Sequence, residues 1–176
     1  MVDLLNLSDQ VDKDFAIARR RARMRALGSW FSGRSGSGTL LPFEETRRAL
    51  GAAGGIRLGR KTVELSRMVG SVGQYDRFDA VFMPLSRASP ERWMRVARAF
   101  RKGLDLQPVI IYALDGGYFV VDGHNRVSVA RFHGAEWIDA EVSAFRGRSD
   151  WSVHSKSCSH APTNHSQGRR CSMRTS

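Results

Sequence analysis

From Asp122 to Arg126 the chain reads Asp-Gly-His-Asn-Arg. A carboxylate, an imidazole, an amide and a guanidinium crowd around one glycine that permits a tight reversal. Tyr118 to Val121, just before, are strand formers. Asn125 to His133, just after, reads as a short helix closed by Gly134. A strand that turns directly into a helix exposes the unpaired N–H groups of the first helical turn, and the helix dipole adds partial positive charge there. Such a corner is suited to an anion. Arg126 would grip a phosphate with two N–H donors. Gly123, His124 and Asn125 add donors, and Ser128 reaches a phosphate oxygen from the first turn. His124, whose ordinary pKa lies near neutrality, is the candidate proton carrier. Asp122 is the second candidate catalytic group: it either holds a magnesium ion brought by a nucleotide or simply caps the helix. The opposing reading is that Asp122 caps, Gly123 turns and the others are exposed polar residues, because a strand-glycine-helix turn is far less specific than a P-loop. The residues of the turn alone leave both readings open.

The flanking elements must hold this turn in place. Residues 88–103 are expected to form a helix with Ser89 as N-cap, Pro90 in the first turn and Gly103 as the stop. Trp93, Val96, Ala97 and Phe100 share one face of it and read as core. Residues 107–114 read as a strand, Asp115-Gly116-Gly117 as a hairpin turn, and residues 118–121 as the returning strand. Ile138, Ala140 and Val142 alternate along a further half-buried strand over 137–142. Residues 41–55 read as a short helix stopped by glycines, and 61–72 as a strand, a turn and a short apolar segment. Residues 10–27 read as a basic helix with a thin apolar stripe of Ile17, Met24 and Leu27, resting lightly on the domain.

The net charge is +11 over 176 residues, and most of the excess lies in the flanks. Three segments are expected: a basic helical arm with a Gly/Ser linker (1–38), a compact α/β (α+β) domain (39–146), and a Ser/Arg-rich disordered tail (147–176). Residues 13–34 and the tail are the candidate contacts to DNA phosphates. No apolar run is long enough to span a membrane, and no secretory leader is recognised, so a cytoplasmic location is expected. His154, Cys158, His160, His165 and Cys171 fit no zinc-ligand spacing, and no metal site is expected of them.

The order of a helix, "QPVIIY", a glycine turn, "YFVVDGHNRVSVA" and "GAEWIDAEV" resembles the ParB/sulfiredoxin-like domain over about residues 62–143. It looks closest to small stand-alone ParB-like proteins with a D-G-H-x-R motif. The resemblance implies a compact domain with a small mixed sheet and flanking helices. It implies a nucleotide of the CTP or ATP class with its phosphates at Gly123 and Arg126, the two residues of the family's turn that carry over. The loop Gly73-Gln74-Tyr75-Asp76-Arg77 stands where the family's base-contacting loop would be, which adds Gly73 and Gln74 to the site. The acidic residue of the partitioning proteins' turn is His124 here, which puts nucleotide hydrolysis in question. No cysteine stands at the turn, so sulfiredoxin chemistry is excluded. Glu64, Asp76 and Asp79 are the nearest candidate bases for phosphotransfer. Three functions follow: a nucleotide-binding domain, with or without hydrolysis or phosphotransfer; a nucleic-acid-binding protein with nuclease activity; or an inactive interaction platform.

Overall fold

The computed structural model describes residues 2–31 and 38–147. Apart from Gly147 and Gly38, the expected tail (147–176) and linker (32–38) lie outside the described residues. Among the described residues the fold is α+β: four helices and a six-stranded mixed sheet. In chain order the elements are α1 (Val2–Phe31), β1 (Leu41–Pro42), α2 (Phe43–Ala49), β2 (Ala53–Glu64), β3 (Met68–Ser71), α3 (Pro90–Arg101), β4 (Val109–Leu114), β5 (Gly117–Asp122), α4 (His124–Phe132) and β6 (Trp137–Arg146). The sheet runs β1-β3-β5-β4-β6-β2. β3 lies parallel to β5 and β4 parallel to β6, while β4/β5 and β2/β6 are antiparallel. Among the described residues, no helix is long and apolar enough to cross a membrane.

Local chemistry explains the elements that frame the turn. Asp115 and Gly116 both adopt positive φ (47° and 77°). They form the two-residue hairpin loop whose twist matches its strands. Ser89 Oγ accepts the Arg92 N–H, so α3 starts at the expected cap, with Pro90 in its first turn. Trp93 and Ala97 are fully buried, whereas Val96 is half-buried and Phe100 sits at the rim, stacked on His133. Trp93 forms a core cluster with Phe15, Ala18 and Val129, which joins α1, α3 and α4. A second cluster, including Val109, Ile111, Val120, Val127, Ala140 and Val142, lies between the sheet and α4.

Two elements differ from the sequence reading. α1 runs well beyond residues 10–27, and its buried face is Val11, Phe15, Ala18 and Ala22; Ile17, Met24 and Leu27 are exposed. Two of the buried four are alanines, which let α1 approach α3 closely but carry little hydrophobic signal. Ion pairs fix the docking: Asp14 accepts from Arg101 at 2.6 Å, and Asp79 from Arg25 at 2.9 Å. The helix is thus a packed part of the domain. The second difference is β2, which begins at Ala53, inside the segment read as glycine-stopped helix. Gly54, Gly55 and Gly59 weaken strand propensity, and pairing along β6 supplies the ladder instead.

Candidate functional site

The turn between β5 and α4 opens onto a cavity of about 410 Å³. Its walls come from three places. The turn gives Asp122, Gly123, His124, Asn125 and Arg126; the loop after β3 gives Gln74, Arg77 and Phe78; the first turns of α3 give Ser89, Arg92, Arg95 and Val96.

Gly123 is required at the corner. Its φ is +96°, and a Cβ there would lie 2.6 Å from Val109 Cγ1. It is the N-cap of α4, and no side chain caps that end, so Asp122 is not a helix cap. The first N–H groups of α4 are left without intrahelical partners.

Asp122, at the end of β5, and Arg126, in the first turn of α4, hold one another instead, at 2.6 Å across the corner. Arg126 also donates to the carbonyls of Gln107 and Pro108, at the entrance to β4. Only 16% of its side chain is exposed. The expected phosphate fork is largely spent on protein acceptors, and Arg126 is a positioning residue that pins the turn to β4.

His124 is likewise not the exposed imidazole the sequence suggests. It is 3% exposed and stacks on Phe78. Its Nε2 lies 2.7 Å from Ser71 Oγ, and Ser71 Oγ accepts the Gln74 N–H at 3.1 Å. Burial pushes the imidazole pKa from 6.5 down to about 4; the Asp122 charge and a hydrogen bond with the Val120 backbone oppose this, and Arg77 reinforces it. The carbonyl of Val120 can only accept, so in the neutral ring Nε2 is the acceptor of the Ser71 hydroxyl. Near pH 7 this ring is uncharged, with one nitrogen donating to the Val120 carbonyl and the other accepting from Ser71. It ties the end of β3 and the loop 72–77 to the start of α4, and so sets the width of the cavity.

Ser128 is a correction of the same kind. It is fully buried, and its Oγ accepts the Trp93 indole N–H at 2.9 Å. It faces α3, not the cavity. Gly73 is exposed and shapes its loop with φ +84° but does not line the cavity, whereas Gln74 does. Asn125 lines it too, with its Oδ1 buried and without a donor among the described residues. None of the candidate bases reaches the cavity. Asp76 pairs with Arg87; Asp79 accepts from the N–H groups of Val81 and Met83 and from Arg25; Glu64 lines a separate cavity beside α1.

The sequence reading missed the groups that matter most for charge. Arg77, Arg92 and Arg95 all line the cavity, are exposed, and have no protein acceptor among the described residues. The signal for two of them was present: Arg92, Arg95, Arg98 and Arg101 recur every third residue along α3. Arg98 reaches Ser8 and Arg101 reaches Asp14, both on α1. The N-terminal half of the row is left facing the cavity. By contrast, three of the five arginines in the middle of α1 are engaged with the domain itself: Arg19 lies over Phe15, Arg21 over Phe132, and Arg25 on Asp79. Among the described residues no three His, Cys, Asp or Glu side chains gather where they could share an ion. The tail His and Cys residues lie outside the described residues.

No family model, curated protein or solved structure matches this chain.

Proposed function

We propose that the cavity at the β5–α4 turn binds the phosphates of a nucleotide of the CTP or ATP class, in a domain of the ParB/sulfiredoxin type. One observation carries the reading: Arg77, Arg92 and Arg95 converge on a single cavity and have no protein acceptor among the described residues. Exposed arginines are normally dispersed or paired; three unpaired ones around one concavity raise the local potential for an anion. The free N–H groups at the start of α4 point the same way. A volume of about 410 Å³ is in the range of small-molecule sites. The order of α3, β4, the hairpin, β5, the glycine turn, α4 and β6 is the order on which the resemblance rests.

In this reading Arg92, Arg95 and Arg77 bind. Arg126, Asp122, His124 and Ser71 position the turn and the loop. Gln74 and Asn125 are the polar groups left to meet the sugar or base. The reading is one of binding, because Asp122, the sole carboxylate among the lining residues, is occupied by Arg126.

Isothermal titration calorimetry of the full chain with CTP, ATP and their diphosphates tests it. The double variant Arg92→Ala/Arg95→Ala should weaken binding about a hundredfold or more, since each charge-assisted hydrogen bond is worth about 1.5–3 kcal/mol. Its melting temperature should stay near that of the parent, because both side chains are exposed. The reading fails if the parent binds no nucleotide, or if the double variant binds as tightly as the parent.

A further inference from the structure

Building on the nucleotide-phosphate reading of the cavity, we infer that the site takes the free polyphosphate anion, without a divalent metal, and that magnesium weakens binding. Asp122 is the expected holder of a nucleotide-borne magnesium ion, and the donor set does not suit that ion. Magnesium demands hard oxygen ligands in near-octahedral geometry, normally at least one carboxylate besides the phosphates and retained waters. Thirteen residues line the cavity, and Asp122 is the only carboxylate among them. One of its oxygens already holds the Arg126 guanidinium at 2.6 Å. A cation at the other oxygen would stand beside that guanidinium, with Arg77, Arg92 and Arg95 on the facing walls. The remaining side-chain oxygens are neutral and poorly disposed. Gln74 Oε1 is a neutral amide oxygen, Asn125 Oδ1 is buried out of solvent, and Ser89 Oγ accepts the Arg92 N–H.

Charge sets the direction of the effect. Four guanidiniums and one carboxylate leave the lining strongly positive. His124 is held neutral by burial and adds nothing to that charge. Coulomb attraction scales with the product of charges, and a nucleoside triphosphate loses about half its charge when it binds magnesium. The arginine cluster therefore does the work that a metal does elsewhere, as fixed charges with directed N–H donors.

The test is calorimetry on the full chain with ATP, CTP and inorganic tripolyphosphate, once in EDTA and once in excess magnesium, with ionic strength matched by potassium chloride. The expected result is binding in EDTA that weakens about fivefold to tenfold in magnesium. Tripolyphosphate should follow the same order, since the effect resides in the phosphates. Binding that requires magnesium, or tightens in it, overturns the inference and leaves the phosphate-site reading standing. Absence of binding by all three ligands under both conditions overturns that reading, and the inference with it.

Discussion

A buried neutral imidazole makes the stability of this fold sensitive to acid, and His124 gives the effect a sign and a size. Its pKa falls from 6.5 to about 4 on folding, chiefly by desolvation. Between those values the unfolded chain binds the proton and the folded chain does not. Stability therefore rises with pH across the window and is lost as pH falls through it. For a single site with these two pKa values, the loss relative to pH 8 is about 2 kcal/mol at pH 5 and about 3 kcal/mol at pH 4. His133 pushes in the same direction: burial lowers its pKa, Asp14 resists and Arg101 assists. The assay is urea unfolding at half-unit steps from pH 7.5 to 4.5, on the parent and on His124→Gln. Glutamine keeps an acceptor for the Ser71 hydroxyl but cannot titrate. The variant should start less stable at pH 7.5, having lost the stacking on Phe78, and should then lose about 2 kcal/mol less than the parent by pH 5. Parallel profiles for the two proteins would refute the reasoning, because His124 would then titrate alike in the folded and unfolded chain.

Two further expectations concern the scaffold of the site. Gly123→Ala should destabilise the domain by about 2 kcal/mol or more, since the added Cβ meets Val109 at a backbone conformation that costs L-residues energy; chemical denaturation measures this, and an unchanged midpoint would contradict the described turn. Trp93→Ala should cost about 3–5 kcal/mol, through loss of the ring from the α1–α3–α4 core and of the donor to Ser128; a loss under 1 kcal/mol would show that α1 does not pack there.

The legible parts of the fold were those whose signals are local. Ser89, Pro90 and the Trp93 stripe declare α3 within a dozen residues, and Asp115-Gly116 declares the hairpin within two. Gly123 marks the corner because only glycine accepts its φ beside Val109. The fate of the reactive side chains was not local. His124 meets a serine 53 residues earlier, and Arg126 meets two backbone carbonyls 18 and 19 residues earlier. A carbonyl acceptor is independent of residue type, so no pattern of side chains could announce it. Ser128 was misplaced by one helical face: in so short a helix, Val127, Val129 and Ala130 are buried on either side of it, and its hydroxyl is enclosed with them.

The same distinction explains why binding charge and positioning charge changed places. Arg126 finds Asp122 four residues earlier, at the end of β5, and α4 begins with that pair made across the corner. Along α3 the arginines recur every third residue, but α1 meets only the C-terminal half of the row, with Ser8 at Arg98 and the acid Asp14 at Arg101. Arg101 is thereby a strut, while Arg92 and Arg95, of identical chemistry, keep their donors. Pairing every guanidinium would have been an available route to greater stability, and Glu91 lies beside Arg92 in the chain. Glu91 also stands four residues before Arg95, at pairing distance along the helix, but makes no ion pair with it, so that acid leaves the row unpaired. What distinguishes a ligand-binding arginine here is that no acid, on its own helix or on the facing element, is engaged with it. Asp122→Ala is the converse case: it frees the Arg126 Nη2 donor and removes the one negative charge of the cavity lining, so the affinity for tripolyphosphate in EDTA should rise rather than fall.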